Sequence, residues 1–294
     1  MNFSFESTIE LTTPWYIPFI IEGCGIAFLN ILIIATFAVN AHLRKRSVYL
    51  LLSVSVADMI VGVTLVTYGL SIFYEGIRND VPLTWGFPVV ACFDMTSAIA
   101  SLAGLVLVSL ERMVAVVFPL RHRRFGNRPY VVSIGLEWIS SMIFTPLLIL
   151  NTEAFFLFAA IGAPSGLLIM CAAYLAIYIK VMKAKRQALN ISAGQLCEQR
   201  LAKTLFIASA LSVLTWVPDN LEDLVISHNS EYNMCSTLLR CANSLVNPLV
   251  YIFRIREFRR ALHTMVCRCA RDQHQPIRRL WAETAGSSQC QSRV

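Results

Sequence analysis

Seven stretches of this chain, near residues 15–39, 48–73, 88–110, 130–150, 155–179, 204–226 and 232–253, are long and almost wholly apolar. A bilayer core about 30 Å thick takes roughly 20 apolar residues per helix. Backbone polar groups in lipid must be satisfied within the protein, so stretches of this length form helices rather than strands. Composition agrees: 56% of the 294 residues are hydrophobic and 15% charged, with a mean hydropathy of +0.60, whereas soluble domains average about 25% charged residues. The expectation is an all-α membrane protein. An extracellular N-terminus over 1–14 leads into a seven-transmembrane helix bundle over 15–254. A short amphipathic membrane-surface helix over 255–268 and a flexible cytoplasmic tail over 269–294 follow. The first stretch lacks a small-residue cleavage site behind a basic start, and reads as a retained helix rather than a signal peptide.

Lysine and arginine set the orientation. "HLRKR", "RHRRFGNR", "KVMKAKRQ…EQRLAK" and "RIREFRRALHTMVCRCAR" follow spans one, three, five and seven, and all but two of the 25 Lys and Arg residues lie on that side, the exceptions being Arg78 and Arg240. Positive charge marks the cytoplasmic side, which puts the N-terminus outside at the plasma membrane. The sequon Asn2-Phe3-Ser4 is then a glycosylation site, while the one at Asn190 falls inside. The net charge of +7 is thus a topology signal and an attraction to anionic lipid, not a nucleic-acid footprint. The nine cysteines form no framework; Cys92 and Cys235 are the extracellular-side candidates for a bridge.

Span three carries Asp94 near one end and Glu111-Arg112 near the other. Eighteen residues make five whole helical turns, so Asp94 and Arg112 point the same way about 27 Å apart. Ser101 and Leu105 share that direction. Ionisable residues within a membrane face the bundle interior or a wet cavity, so this stripe marks the interior. Span two adds Asp58, and span seven aligns Arg240, Ser244, Asn247 and Tyr251. Span six gathers Trp216, Asp219, Asn220 and Asp223 around Pro218, which is expected to kink the helix.

Taken in order along the chain, these residues resemble those of the rhodopsin-like (class A) G-protein-coupled receptors. Asn30 in "FLNILII", Asp58 in "SVADM", Arg112 in "LERM", Trp138, Tyr174, "TWVP" and "NPLVY" (Asn247, Pro248, Tyr251) match that family's motif positions over all seven spans. The resemblance implies a cell-surface receptor that passes an extracellular signal to a heterotrimeric G protein by outward movement of span six. Arrestin is a further partner it implies. Asp58, Ser101, Trp216, Asn243, Ser244 and Asn247 match the family's sodium pocket, and oxygen ligands around a buried carboxylate suit a hard cation. No covalent cofactor is expected. At the cytoplasmic end Arg112 pairs with Glu111 or with Glu198, which stands 20 residues before Pro218; breaking the pair frees span six, and Tyr174 and Tyr251 then brace Arg112.

Beyond span seven, Phe258, Leu262 and Met265 recur at one helical face with basic residues opposite, the pattern of a helix lying on the inner leaflet. Cys267 and Cys269 beyond it are palmitoylation candidates, and the terminal "QSRV" has the form of a PDZ-domain ligand.

The ligand reading stays open between two alternatives. Asp94 matches the position at which amine-binding relatives hold an ammonium group, and Asp219, Glu222, Asp223 and acidic loop residues would attract a cationic amine or basic peptide. Arg240 lies at about the same depth. In the alternative it neutralises Asp94, the ligand is not cationic, and basal activity is high.

Several positions depart from the family pattern. Phe87 replaces the usual cysteine, and the "LNTEAF" link between spans four and five is short and cysteine-free, as in melanocortin-like receptors. "ADMIVGV" and "ACF" resemble adenosine receptors, with Asp223 in place of their asparagine. Gly166 stands where span five usually has proline, with Pro164 two residues earlier, and Ser212 replaces the usual phenylalanine before Trp216. A retinal pigment is excluded: the five lysines (45, 180, 183, 185 and 203) are all on the cytoplasmic side, and Cys241 takes the Schiff-base position. A transporter or channel is the weakest reading, since no repeat or paired broken helices appear. No nucleophile triad, metal cluster or phosphate loop suggests an enzyme.

Overall fold

The computed structural model describes residues 15–40, 46–78, 86–186, 211, 214–216, 230–254 and 258–265. Five long helices match spans one to five: α1 (Tyr16–Val39), α2 (Val48–Arg78), α3 (Gly86–Val117), α4 (Arg128–Phe144) and α5 (Thr152–Arg186). The Ser230–Arg254 helix is span seven. Of span six, only Leu211 and Leu214–Trp216 fall within the described residues, all helical. Five of the described helical segments are long and apolar enough to cross a membrane.

The helices sort their side chains inside-out relative to a soluble protein. Ile17, Ile21, Phe28 and Ile31 of α1, and Leu136, Ile139 and Ile143 of α4, are exposed, as a hydrocarbon solvent permits. Asn30, Asp58, Ser101, Arg112, Ser244 and Asn247 are buried, because lipid offers a polar group no partner.

The central helix is α3, packed against α2, α4 and α5. Its inward stripe is the expected one, with Ser101, Leu105 and Arg112 all buried. The long helices overrun the apolar stretches: α2 continues to Arg78, and α5 runs on into basic sequence as far as Arg186. Span four is less regular than its hydropathy suggested. Its helix stops at Phe144, turns at Thr145-Pro146 and resumes over Leu147–Leu150, because Pro146 has no N–H for the helical ladder.

Between α1 and α2 the backbones touch. A Cβ on Gly23 would lie 2.7 Å from the Gly62 carbonyl oxygen, and one on Gly62 would lie 2.6 Å from the Ala27 nitrogen. Small residues let membrane helices approach this closely, replacing the hydrophobic drive that lipid does not supply.

Span seven holds Pro248, which cannot donate to the carbonyl of Ser244 four residues earlier. Asn30 of α1 answers that carbonyl with its Nδ2 at 3.1 Å. This side chain thereby ties α1 to span seven at the level of Asp58. After span seven, residues 258–265 are helical within the expected 255–268. Phe258 and Ala261 are buried while Arg259, Arg260 and His263 are exposed, and the Phe258 ring lies 5.3 Å from that of Phe37.

Gly62→Val is expected to force α1 and α2 apart at a cost of at least about 1–3 kcal/mol, the usual range for overpacking. Thermal unfolding of the purified protein in lipid nanodiscs measures it; an unchanged midpoint would contradict the close crossing.

Candidate functional site

Polar side chains meet at three levels of the bundle. The middle one centres on Asp58, fully buried in α2. Ser101 donates to its Oδ1 at 2.6 Å, Ser244 to the same oxygen at 2.8 Å, and Asn247 to Oδ2 at 2.9 Å. Three helices are thus tied through one carboxyl group. Asn243 is also buried but makes no bond to Asp58; its Oδ1, with those of Asn247 and Asn30, is buried and unpartnered. Trp216 packs on the core beside this level.

At the second level Arg240 of span seven donates from Nη2 to Asp94 Oδ2 at 2.8 Å. Thr64 of α2 donates to Oδ1 of the same carboxylate at 3.1 Å. Both oxygens of Asp94 are therefore engaged within the protein, and the two charges cancel. Sequence phase brought Asp94 and Arg240 to one depth; Thr64 was missed, although it lies six residues after Asp58 on the same helix. Asp219, Asn220 and Asp223 lie outside the described residues. Cys92 and Cys235 are free thiols, so the candidate bridge between them is not formed.

The cytoplasmic level gathers around Glu111. Its Oε2 pairs with the buried Arg112. Its Oε1 lies 2.7 Å from His122 Nε2, on the short Pro119–Arg124 helix, and accepts from the Tyr130 hydroxyl at 3.3 Å. Arg46, in the preceding loop, donates to the Phe125 carbonyl. Tyr174 is buried in the core beneath. His122 and Tyr130 were not foreseen; a histidine eleven residues after an acid carries no helical-face signal once the chain turns at Phe118. Glu198 and Pro218 lie outside the described residues, as do Asn2, Cys267 and Cys269. Pro248 lies inside the span-seven helix, and Tyr251 is on it, its side chain outside the described set.

Glu137 of α4 is a fourth polar group that sequence reading passed over. It is buried beside α2 and α3, its Oε1 accepts from Ser53 at 3.0 Å, and Ser53 accepts from Trp138 Nε1 at 2.9 Å. An acid inside an apolar stretch, next to a tryptophan, was the available signal.

A cavity of about 550 Å³ lies beside the Asp94 level, bordered by Met95, Leu102, Phe155, Trp216, Thr237 and Arg240 among others. That is the size of a small-molecule site.

A bundle with a buried acid at its centre, an internal ion pair above it and an acid–arginine clasp at its cytoplasmic end has the layout of a signalling receptor. The model of the 7 transmembrane receptor (rhodopsin family) matches residues 29–156. The adenosine receptor A2b of Gallus gallus is 24% identical, over 81% of this chain and 83% of its own. The melanocortin receptor 3 of Mus musculus is also 24% identical, over 86% and 85%. Squid rhodopsin superposes with a TM-score of 0.75 at 17% identity, covering 87% of this chain and 85% of that one, and shows the same seven-helix fold. These matches support a rhodopsin-family seven-transmembrane receptor similar to the adenosine and melanocortin receptors. They support a multi-pass plasma-membrane receptor of the G-protein-coupled type, a family of receptors rather than enzymes.

Replacing Arg240 by Gln strands the Asp94 carboxylate in a poor solvent and is expected to cost about 3–5 kcal/mol. Asp94→Asn with Arg240→Gln should cost less than the sum of the singles, with a coupling of about 1–3 kcal/mol. Unfolding midpoints of the four proteins measure it, and strict additivity would mean the pair is not coupled.

Proposed function

We propose that this receptor, its N-terminus extracellular, answers a non-cationic ligand bound in the cavity beside the Asp94–Arg240 pair. The observation that carries this reading is the pair itself: Arg240 and Thr64 hold both oxygens of Asp94. An ammonium ligand would have to displace a guanidinium that is already in place and 4% exposed. Trp216 stands on both the cavity wall and the core that reaches the Asp58 level, which gives a ligand a packed route inward. Signalling then proceeds by outward movement of span six, with release of the Arg112 clasp and high basal activity. Glu198 is the second acid of that clasp, and Tyr251 and Tyr174 brace the freed Arg112.

Asp58 is the expected seat of a sodium ion that modulates the receptor. The residues fit the ion. One buried carboxylate is ringed by two hydroxyls, and the unpartnered amide oxygens of Asn243 and Asn247 lie on the same helix as Ser244. Hard oxygen donors of this kind suit a small cation. Asn2 glycosylation, palmitoylation at Cys267 and Cys269, a membrane-lying 255–268 helix, and arrestin and PDZ-protein partners complete the proposal.

Nucleotide exchange on purified G protein, with the receptor in nanodiscs, tests these roles. Wild-type receptor should show no response to amines or basic peptides, whereas Arg240→Ala, which frees Asp94, should gain one; amine stimulation of the wild type would overturn the reading. Glu198→Ala should raise basal exchange at equal receptor concentration, and no rise would remove Glu198 from the clasp. Asp58→Asn should abolish the effect of exchanging sodium for potassium.

A further inference from the structure

The cavity beside Arg240 is not closed toward the bilayer. Its inner wall is buried, with Ala98, Leu102 and Arg240 all below one-tenth exposure, yet Phe144, Phe158, Ile161 and Ile169 line the same cavity and are 41–61% exposed. One space therefore runs from the bundle interior to the protein's outer surface. The gap arises because α4 and α5 both pack on α3 and hardly on each other; α5 meets span four chiefly through the Leu147–Leu150 turn. The sequence explains the separation. Residues 159–166 of α5 read "AAIGAPSG", with no bulky side chain to bridge toward α4 except Ile161. A Cβ on Gly162 would meet nothing within 4 Å, so open space begins at the helix surface.

The opening lies at hydrocarbon depth. Ser140, on its α4 rim, is twelve residues from the helix start at Arg128, about 18 Å along the axis, well inside a core about 30 Å thick. On either side the rim passes into Leu136, Ile139, Leu157 and Leu168, which are exposed and apolar. Water does not reach such a mouth, but a lipid chain does.

The chemistry of the lining is specific. The Asp94–Arg240 pair is neutral, so no net charge awaits the ligand. Polar groups are sparse: Ser140, Ser165, Thr237 and Arg240 on the wall. The carbonyl of Ala160 joins them, since Pro164 has no N–H to give it. An apolar body with one small uncharged head that can both donate and accept hydrogen bonds answers this set.

We propose that the ligand is an uncharged single-chain amphiphile, of the monoacylglycerol type, that enters from the bilayer between α4 and α5. This rests on the non-cationic reading of the same cavity and adds the ligand's class and its route.

The test uses a photoreactive 1-monoacylglycerol with a diazirine in its chain, incorporated in nanodiscs holding the full-length receptor. Labelling should saturate, be competed by unlabelled 1-oleoylglycerol, and fall on residues 140–144 and 158–169. Gly162→Trp, which fills open space, should lower saturable labelling about tenfold, a loss of about 1.4 kcal/mol in binding. Ile21→Trp, on the lipid-facing side of α1 away from the cavity, should leave it unchanged. Non-saturable labelling over all lipid-facing helices, or equal labelling of Gly162→Trp, overturns the proposal. Competition by oleic acid but not by oleoylglycerol also overturns it, since the head would then be anionic. Nucleotide exchange separates the two levels. If adenosine, a water-borne nucleoside, stimulates and the lipid does not, the lipid route falls while the non-cationic receptor stands; if only amines stimulate, both fall.

Discussion

Lipid hydrocarbon gives a polar group nothing to bond to, and the polar residues buried within the described spans are placed under that constraint. Each long helix can turn apolar side chains outward at no cost, so burial of apolar area does not by itself choose an arrangement. What chooses it is the need to answer Asp58, Asp94, Glu137 and Arg240 from neighbouring helices. Asp58 binds α3 and span seven to α2, Asp94 binds α2 and span seven to α3, and Glu137 binds α4 to α2. The polar contacts of the candidate site are also the ones that specify the packing.

Cavities in such a bundle occur where side chains are small and no polar tie draws two helices together. Between α1 and α2, glycines are matched on both helices and the backbones close up. Between α4 and α5, the small residues lie mainly on α5, and no hydrogen bond joins the two helices among the described residues. The same residue type thus gives a weld in one place and an opening in another, according to what the partner presents.

Much of this was legible in the sequence because a membrane helix has one simple period. Spacing alone aligned Asp94, Ser101, Leu105 and Arg112, and the structure buries the last three and half-buries Asp94. Asp58, Ser101, Ser244 and Asn247 were grouped through a resemblance and meet in space. Partners that depend on how helices lean were not legible. Thr64 reaches Asp94 across an interface, and His122 reaches Glu111 only because the chain turns at Phe118. Glu137 left a signal that went unread, an acid amid apolar neighbours. The break in span four follows from Pro146, which a hydropathy average does not see. The separation of α4 from α5 had no sequence signature beyond a run of small residues, and such a run equally suits close packing.

The glycines also bear on how this chain can diverge. Gly23 and Gly62 face backbone atoms, which cannot swing aside as a side chain can, so neither position has a tolerated neighbour in sequence space. Gly126, Gly135 and Gly162 face open space, so the fold itself limits drift there only through backbone preference. Descendants of this protein would therefore keep the first two helices nearly fixed while the α4–α5 side changes freely. The half of the bundle that varies most easily is the half that holds the cavity, so a lineage could change what it senses without rebuilding the frame that reports it.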